Sequence, residues 1–343
     1  MIFSKLSKII DKYSLYISNN QKKYALFCCR GNFDMAIKTS LAAKILSKKL
    51  YLSPVIFHTH NENSEILKIY KLFGFKKIIK INIKKISSYV FILTVKDFIS
   101  AIIFLIFNNL DNFVNSYNVR GIKFGELIYD SYLRYKKDFY RQSRFDLSLW
   151  KNIYQTLYTF NFINNFTKKN EVKRTIVTQF SYSNPSTILA KMSLFKNIKT
   201  SLLSGPNFFN INKSESFLHP YLVTKTILNQ TKFSTKNKKI YKIHLKKRHS
   251  GKLWYQPDNI NAYKNKKKIT LLQLKKRLKI RSSATFDKVI LYACHAFKDA
   301  PHSTGSMIFR DYYEALYETI EYAKKNNKNL WIFKEHPSAH VFG

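Results

Sequence analysis

Short apolar runs alternate with amphipathic stretches along residues 24–203, and this alternation constrains the fold more than any other feature of the sequence. Residues 24–29 and 54–58 have the length and apolar content of buried strands. Each is followed by apolar residues at helical spacing, in 35–50 and 64–73. Strands separated by helices of this length predict a parallel sheet with helices on both faces. The predicted fold class is therefore α/β.

The same strand and helix pattern continues further along the chain. Residues 77–83, 175–180 and 199–203 are predicted strands, and 186–195 is a predicted helix. The intervening residues 111–170 have a helical, aromatic pattern. We predict a Rossmann-like N-terminal domain with a helical insertion over 1–230, a basic inter-domain segment over 231–284, and the start of a second, truncated Rossmann-like domain over 285–343.

The charge balance limits the partners that the chain attracts. The 343 residues carry 60 Lys and Arg against 20 Asp and Glu, a net charge of +40. Such a field attracts nucleic acids, anionic lipid headgroups and nucleotide phosphates. The codons for Lys, Ile, Asn, Phe and Tyr are rich in A and T, so genome composition is an alternative source of the charge. The three cysteines exclude a disulfide framework and predict a reducing, cytoplasmic location.

One apolar stretch, 89–107, is long enough to raise the question of a membrane span. Lys96 and Asp97 lie at its centre, and each charge costs about 2.5–3.5 kcal/mol at a bilayer midplane. We therefore predict a buried helix, or a helix resting on a membrane surface, rather than a span. Together with the basic charge, this predicts peripheral contact with the anionic inner face of the plasma membrane.

Several common cofactor motifs are absent from the sequence. There is no G-x-G-x-x-G, no G-x-x-x-x-G-K-[ST], no H-E-x-x-H and no C-x-x-C. The chain therefore lacks the usual cradles for dinucleotides and P-loop phosphates and the usual zinc patterns. No cofactor and no metal are predicted.

Polar residues follow two predicted strands near the end of the sequence. His295, Asp299 and His302 come after strand 288–293, and Lys334, His336 and Pro337 come after strand 329–333. In open α/β sheets the carboxyl ends of strands are where ligands bind. A lysine and an imidazole there suit the binding of a phosphate or the protonation of a leaving group. The alternative is a strand-ending turn with a solvated lysine beside it.

These residues carry a resemblance to a known family. The segments VILYACHAFKDAPH, IFRDYYEALYETIEYA and LWIFKEHPS, within 285–343, resemble bacterial capsule and surface-polysaccharide biosynthesis proteins. Those proteins are similar to glycosyltransferases of the two-Rossmann GT-B architecture and to polymerases of glycerol phosphate. RGIKFGELIYDSYLR, at 120–134, also looks like a first-domain helix of this family.

The resemblance implies which residues take part. It assigns Lys334, His336 and Pro337 to the donor phosphates, and makes His295 and Asp299 cleft residues near the reacting groups. It implies a nucleotide-activated donor bound by the second domain and a polysaccharide or lipid-linked acceptor facing the first. Either His295 or Asp299 is the predicted base. The strands and helices that complete the donor pocket in this family are not found in 285–343.

The first domain offers weaker candidates. The strand-end residues Arg30, Gly31, Gln179 and Ser181 are predicted to contact substrate, as hydrogen-bonding partners for acceptor hydroxyls. In the second predicted domain, His302 is also predicted to contact substrate. His58 and the pair Gly205-Pro206 occupy similar strand ends. For each of these strand-end residues, an ordinary loop residue satisfied by backbone is the competing interpretation.

The predicted function is transfer of a sugar or glycerol phosphate from a nucleotide-activated donor to a growing capsule or surface polysaccharide. Two alternatives stay open. One is a basic protein that binds nucleic acid without sequence preference, although no recognisable nucleic-acid motif is present and specific binding is not expected. The other is an inactive, truncated relative of the transferase.

Overall fold

The computed structural model of the chain describes residues 2–17, 22–28, 32–59, 64–82, 87–136, 138, 140–204, 207–211, 235–250, 269–304, 307–336 and 339. By its internal contacts the chain divides into two compact units. The first holds Met1–Pro220 and His302–Ser306, and the second holds Tyr221–Pro301 and Met307–Gly343.

The first unit contains eight of the described helices and eight of the described strands. The helices are α1 (Ile2–Lys12), α2 (Phe33–Leu50), α3 (Ser64–Leu72), α4 (Ser88–Phe107), α5 (Leu110–Ser116), α6 (Gly125–Tyr135), α7 (Leu147–Lys169) and α8 (Pro185–Phe195). The strands are β1 (Tyr24–Cys28), β2 (Ser53–His58), β3 (Lys77–Lys80), β4 (Asn118–Val119), β5 (Ile122–Lys123), β6 (Val172–Val177), β7 (Lys199–Ser204) and β8 (Asn207–Ile211).

Six of these strands form one sheet in the order β3-β2-β1-β6-β7-β8. The first five are parallel, and β8 pairs antiparallel with β7. The prediction of a parallel α/β sheet is confirmed, and the arrangement is compatible with a Rossmann-like fold. The antiparallel strand β8 was not predicted, because the last strand predicted for this domain is 199–203.

Side chains alternate between the two faces of the sheet and pack into two hydrophobic cores, one on each face. In β1, Ala25 and Phe27 face one side, with β2 residue Ile56, and pack with α1, α2 and α3. Leu26 and Cys28 face the other side and pack with α6, α7 and α8. Successive residues of a strand point to opposite faces. Helices therefore cover both faces of the sheet, as predicted.

A small hairpin replaces part of a predicted helix. Residues 120–124 belong to the RGIKFGELIYDSYLR segment, yet β4 and β5 pair antiparallel around Arg120 and Gly121. Both of these residues have positive φ, +52° and +80°, as a two-residue hairpin turn requires. The helix α6 begins only at Gly125, where a Cβ would lie 2.0 Å from the Phe113 carbonyl oxygen. A side chain at this position is therefore excluded.

The second unit contains a two-stranded parallel sheet, β9 (Val289–Ala293) and β10 (Leu330–Lys334), in its described part. The helix α11 (Tyr312–Lys325) lies between these strands in the chain, and Asp311 caps it by accepting from the Glu314 amide at 2.9 Å. Two further helices, α9 (Thr235–His249) and α10 (Leu271–Arg277), lie in the predicted basic segment 231–284. The two-Rossmann architecture stays a prediction.

Candidate functional site

The strand order places a topological switch point in the first unit. The central strand β1 has β2 on one side and β6 on the other, so successive connections leave it in opposite directions. Ligands of open α/β sheets bind in the crevice at the carboxyl ends of such a pair of strands. Two residues predicted to contact substrate, Arg30 and Gly31, follow β1 but lie outside the described residues.

The loop after β6 holds the other two strand-end candidates, Gln179 and Ser181. Both are half-buried, and their carbonyls are fixed by hydroxyls of helix α8. Ser186 Oγ donates to the Gln179 carbonyl at 3.3 Å, and Thr187 Oγ1 donates to the Ser181 carbonyl at 3.0 Å. These bonds hold the loop backbone in place at the switch point.

A buried carboxylate and imidazole form a hydrogen-bonded pair in the first unit. Asp130 on α6 is fully buried, and the side chain of His302 is 5% exposed. The Nδ1 atom of His302 lies 2.7 Å from Asp130 Oδ1, and the His302 backbone N–H donates to Asp130 Oδ2 at 3.2 Å. Both oxygens of the carboxylate are thus occupied by one partner residue.

The environment of this pair changes the acidity of its carboxyl group. Burial raises the pKa of Asp130 to about 6, and the hydrogen bond and charge of His302 oppose that rise. The Tyr129 ring lies edge-on to the imidazole, with ring centres 6.0 Å apart. His302 was predicted to contact substrate, but its imidazole is enclosed, so the geometry favours an internal anchor over a group that meets a polymer.

A second charged pair lies between α6 and α8. Lys191 is 8% exposed, donates to the Lys123 carbonyl at 3.0 Å and has its Nζ 3.9 Å from Glu126 Oε2. Burial lowers the pKa of Lys191, and the Glu126 charge opposes that effect. Neither Asp130 nor Lys191 was predicted as a special residue. Lys191 is signalled in the sequence only as the single charge of α8, and Asp130 has no such signal because α6 also carries Glu126 and Arg134.

The carboxyl ends of β9 and β10 bring the predicted residues of the second unit together. The strands are parallel neighbours, with Lys334 opposite Ala293, and the Cys294 N–H donates to the Lys334 carbonyl at 2.8 Å. The rings of His295 and His336 stack with centres 5.4 Å apart and planes at 24°. The two loops therefore lie side by side at the carboxyl edge of this two-stranded sheet.

The stack continues on the other side of His295. The Tyr312 ring lies 4.1 Å from it at an interplanar angle of 19°. His295 Nδ1 lies 3.4 Å from the Ala296 carbonyl oxygen, which can only accept a hydrogen bond. The tautomer that satisfies this contact carries the proton on Nδ1 and leaves the Nε2 lone pair available to take a proton.

Asp299 has a different environment from His295. Its Oδ1 accepts the N–H of the next residue, Ala300, at 3.0 Å, and its own N–H donates to the Ala296 carbonyl at 3.0 Å. These bonds are typical of a carboxylate that shapes its own turn. Lys334 and His295 are exposed and His336 is half-buried. Pro337 lies outside the described residues.

A search for metal-binding groups and three comparisons with known proteins complete the description of the site. Among the described residues, no group of three or more His, Cys, Asp or Glu side chains is placed to hold a metal ion. No family model, curated protein or solved structure matches this chain.

Proposed function

We propose that the chain is a glycosyltransferase-like enzyme that uses a nucleotide-activated donor. The product would be a growing capsule or surface polysaccharide, extended by a sugar or by glycerol phosphate. The observation that carries this proposal is the stack of His295 and His336 beside Lys334, at the carboxyl ends of two parallel strands. The resemblance of 285–343 to surface-polysaccharide proteins supports it.

In the proposed reaction, the acceptor hydroxyl attacks the anomeric carbon, or the phosphorus in glycerol phosphate transfer. The bond from that atom to the nucleotide phosphate oxygen breaks, and its electron pair remains on the phosphate. His295 Nε2 takes the hydroxyl proton, and its Nδ1–H is held by the Ala296 carbonyl. Lys334 and His336 would stabilise the departing phosphate charge. We favour His295 over Asp299 as the base because Asp299 is bonded within its own turn.

The donor site is tested by nucleotide binding to the full chain. We expect CMP, CDP or UDP to bind in isothermal titration, and Lys334→Ala and His336→Ala to weaken that binding by about tenfold or more, as loss of a charge-assisted phosphate contact does. The matched control is Lys328→Ala, which removes an exposed lysine from the turn before β10. Binding that survives both site substitutions would contradict the proposal.

The base is tested separately by turnover. His295→Asn should lower the rate of donor consumption about 10²–10⁴-fold while leaving nucleotide binding intact, because general-base catalysis contributes at the transition state. Wild-type chain that binds nucleotide but transfers nothing to any polysaccharide acceptor would instead be an inactive relative. DNA binding that depends on sequence would favour the nucleic-acid alternative, because salt-sensitive, sequence-independent binding is expected of any chain this basic.

We also propose that the enzyme works at the anionic cytoplasmic face of the membrane, where a lipid-linked acceptor would lie. By length and composition, α4 is long and apolar enough to span a bilayer, and only 22% of its most apolar 18 residues are buried. Of the two predictions for this stretch, a buried core helix and a helix resting on a membrane surface, the first is therefore wrong. Its exposed large hydrophobic side chains are Tyr89, Phe91, Ile92, Ile99, Ile103, Ile106 and Phe107.

The charge at the centre of α4 favours a surface position over a span. Asp97 Oδ2 accepts from Arg120 Nη2 at 2.7 Å and from Asn161 Nδ2 at 2.8 Å. Arg120 Nη1 donates to Asn161 Oδ1 at 2.8 Å. This Asp97 network holds the carboxylate of α4 against the folded unit, while the exposed apolar side chains and Lys96 face outward, which suits a helix that rests on an anionic membrane surface.

A further inference from the structure

A cleft of about 540 Å³ opens at the amino edge of the first sheet, the edge opposite the switch point. It is lined by residues at or just before the starts of β1, β2, β6 and β7 and by the end of α8. The volume is within the range of small-molecule sites. Neither the predicted site residues nor the proposed transfer reaction involves this edge.

The lining of this amino-edge cleft is strongly basic. Its cations are Lys23, Lys173, Arg174, Lys196 and Lys199, and no carboxylate lines it. One acid is adjacent: Glu171 Oε1 lies 2.7 Å from Lys173 Nζ and 4.0 Å from Lys23 Nζ. Within the described part of the chain, Arg174 and Lys199 pair with no carboxylate. Four positive charges therefore remain in excess of this acid.

Helix ends provide one explanation for such a cluster. At the amino edge of a parallel sheet the helices end, and each helix C-terminus carries about half a negative charge. Three helices, α2, α7 and α8, end beside the cleft or next to its lining residues. Their combined dipole charge, about 1.5 units, is smaller than the positive excess. More than two positive charges remain for a ligand.

The positions of the side chains suit a phosphate. Lys196 Nζ is held by Thr167 Oγ1 at 2.7 Å, and burial, followed by the charge of Lys168, lowers the pKa of Lys196. The charge of a bound anion would oppose this lowering of the pKa. Arg174, with its planar fork of donors, suits bidentate binding of phosphate oxygens. The apolar residues Leu52, Val172 and Ile198 also line the cleft.

We propose that the amino-edge cleft is a binding site for a ligand bearing two or more phosphate charges, separate from the proposed donor site. The ligand has two sources with the same chemistry: a soluble oligophosphate such as a nucleotide, or a phospholipid headgroup. The site binds the charge of this ligand through Arg174, Lys196 and Lys199 and holds no residue of the proposed reaction.

The test uses the full chain carrying Lys334→Ala and His336→Ala, so that the proposed donor site contributes nothing. Sodium tripolyphosphate is titrated calorimetrically, and binding to vesicles of cardiolipin, whose headgroup carries two phosphates, is measured by sedimentation. Two pairs of substitutions are compared in this background. The cleft pair is Arg174→Gln with Lys199→Gln, and the matched control pair is Lys5→Gln with Lys8→Gln, at exposed positions of α1. Thermal unfolding verifies that each variant is folded.

We expect the cleft substitutions to weaken one of the two probes by about tenfold or more, as loss of charge-assisted contacts does, and the control to change it less than about twofold. Loss of tripolyphosphate binding identifies a soluble ligand, and loss confined to vesicles identifies a lipid headgroup. Equal weakening by both pairs would reveal only general charge attraction and would overturn the proposal. So would binding of neither probe. The outcome is independent of whether the donor site is correct, because that site is removed throughout.

Discussion

Replacing the buried Asp130 carboxyl by an amide should change how the stability of the protein depends on pH. Burial raises the pKa of Asp130 from 3.8 to about 6. Between these values the folded chain binds more protons than the unfolded chain, so the free energy of unfolding decreases as pH rises. This stabilisation is complete below the unfolded pKa and is lost as pH rises through about 6.

The size of the effect follows from the shift. One pKa unit corresponds to 1.36 kcal/mol, so the whole shift represents about 3 kcal/mol. Between pH 4.5 and 7, about 2 kcal/mol of this is lost. Asp130→Asn has no proton to release there. It also replaces one acceptor of the His302 N–H groups by an amide nitrogen, which destabilises the variant by roughly 1–3 kcal/mol.

Urea unfolding at pH 4.5, 5.5, 6.5 and 7.5, extrapolated to water, measures the difference between wild type and Asp130→Asn. We expect wild type to lose about 2 kcal/mol relative to the variant across this range. The control is Asp34→Asn, which removes an exposed carboxylate paired with Lys38 at 2.5 Å; its difference from wild type should show no such trend.

A constant difference between wild type and Asp130→Asn would refute the reasoning. A second variant makes the test sharper. Because His302 lowers the pKa of Asp130 by hydrogen bond and charge, His302→Ala should raise that pKa further. The pH window of declining stability should then extend above 6. A window that moves down instead would contradict the assignment of His302 as the partner that favours the carboxylate.

Two further predictions concern α4. Asp97→Ala should lower the free energy of unfolding by about 2–4 kcal/mol, since it leaves the buried Asn161 amide and Arg120 without this acceptor. A double-mutant cycle with Arg120→Ala should give a coupling energy above about 0.5 kcal/mol. Strictly additive effects of the two substitutions would exclude the Asp97 network. Ile92→Glu with Ile103→Glu should reduce sedimentation with phosphatidylglycerol vesicles more than tenfold. The exposed Ile45→Glu on α2 is the control, and unchanged sedimentation of the α4 variant would contradict the membrane proposal.

Most of the sheet was predictable because its strands are buried on both faces. β2 is buried at every position, and its residues 54–57 form an uninterrupted apolar run that stands out from the helices around it. The hairpin at Asn118–Lys123 was not predictable in the same way. It depends on the left-handed backbone of Arg120, a conformation that an arginine rarely adopts and that the helical pattern around it conceals.

The residues of the candidate site also differ in whether the sequence could predict that they meet. His295, His336 and Lys334 come together because neighbouring parallel strands end at one edge, and strand ends can be predicted from periodicity. The pairing of Asp130 with His302 joins residues far apart in the chain. No local pattern specifies such a contact, and Asp130 resembles any polar residue of an amphipathic helix.

The position of β1 in the middle of the sheet has a consequence for how the chain folds. Tyr24 pairs with Ser53 on one side but with Val172 on the other. At about 5–20 residues per second, the ribosome needs on the order of ten seconds or more to complete β6 after β1 has emerged. During that interval the inner edge of β1 has no partner strand, which is a state prone to association with other chains. The pairing of β1 with β6 comes late and closes a long loop of chain, so we expect this step to limit the folding rate of the first unit.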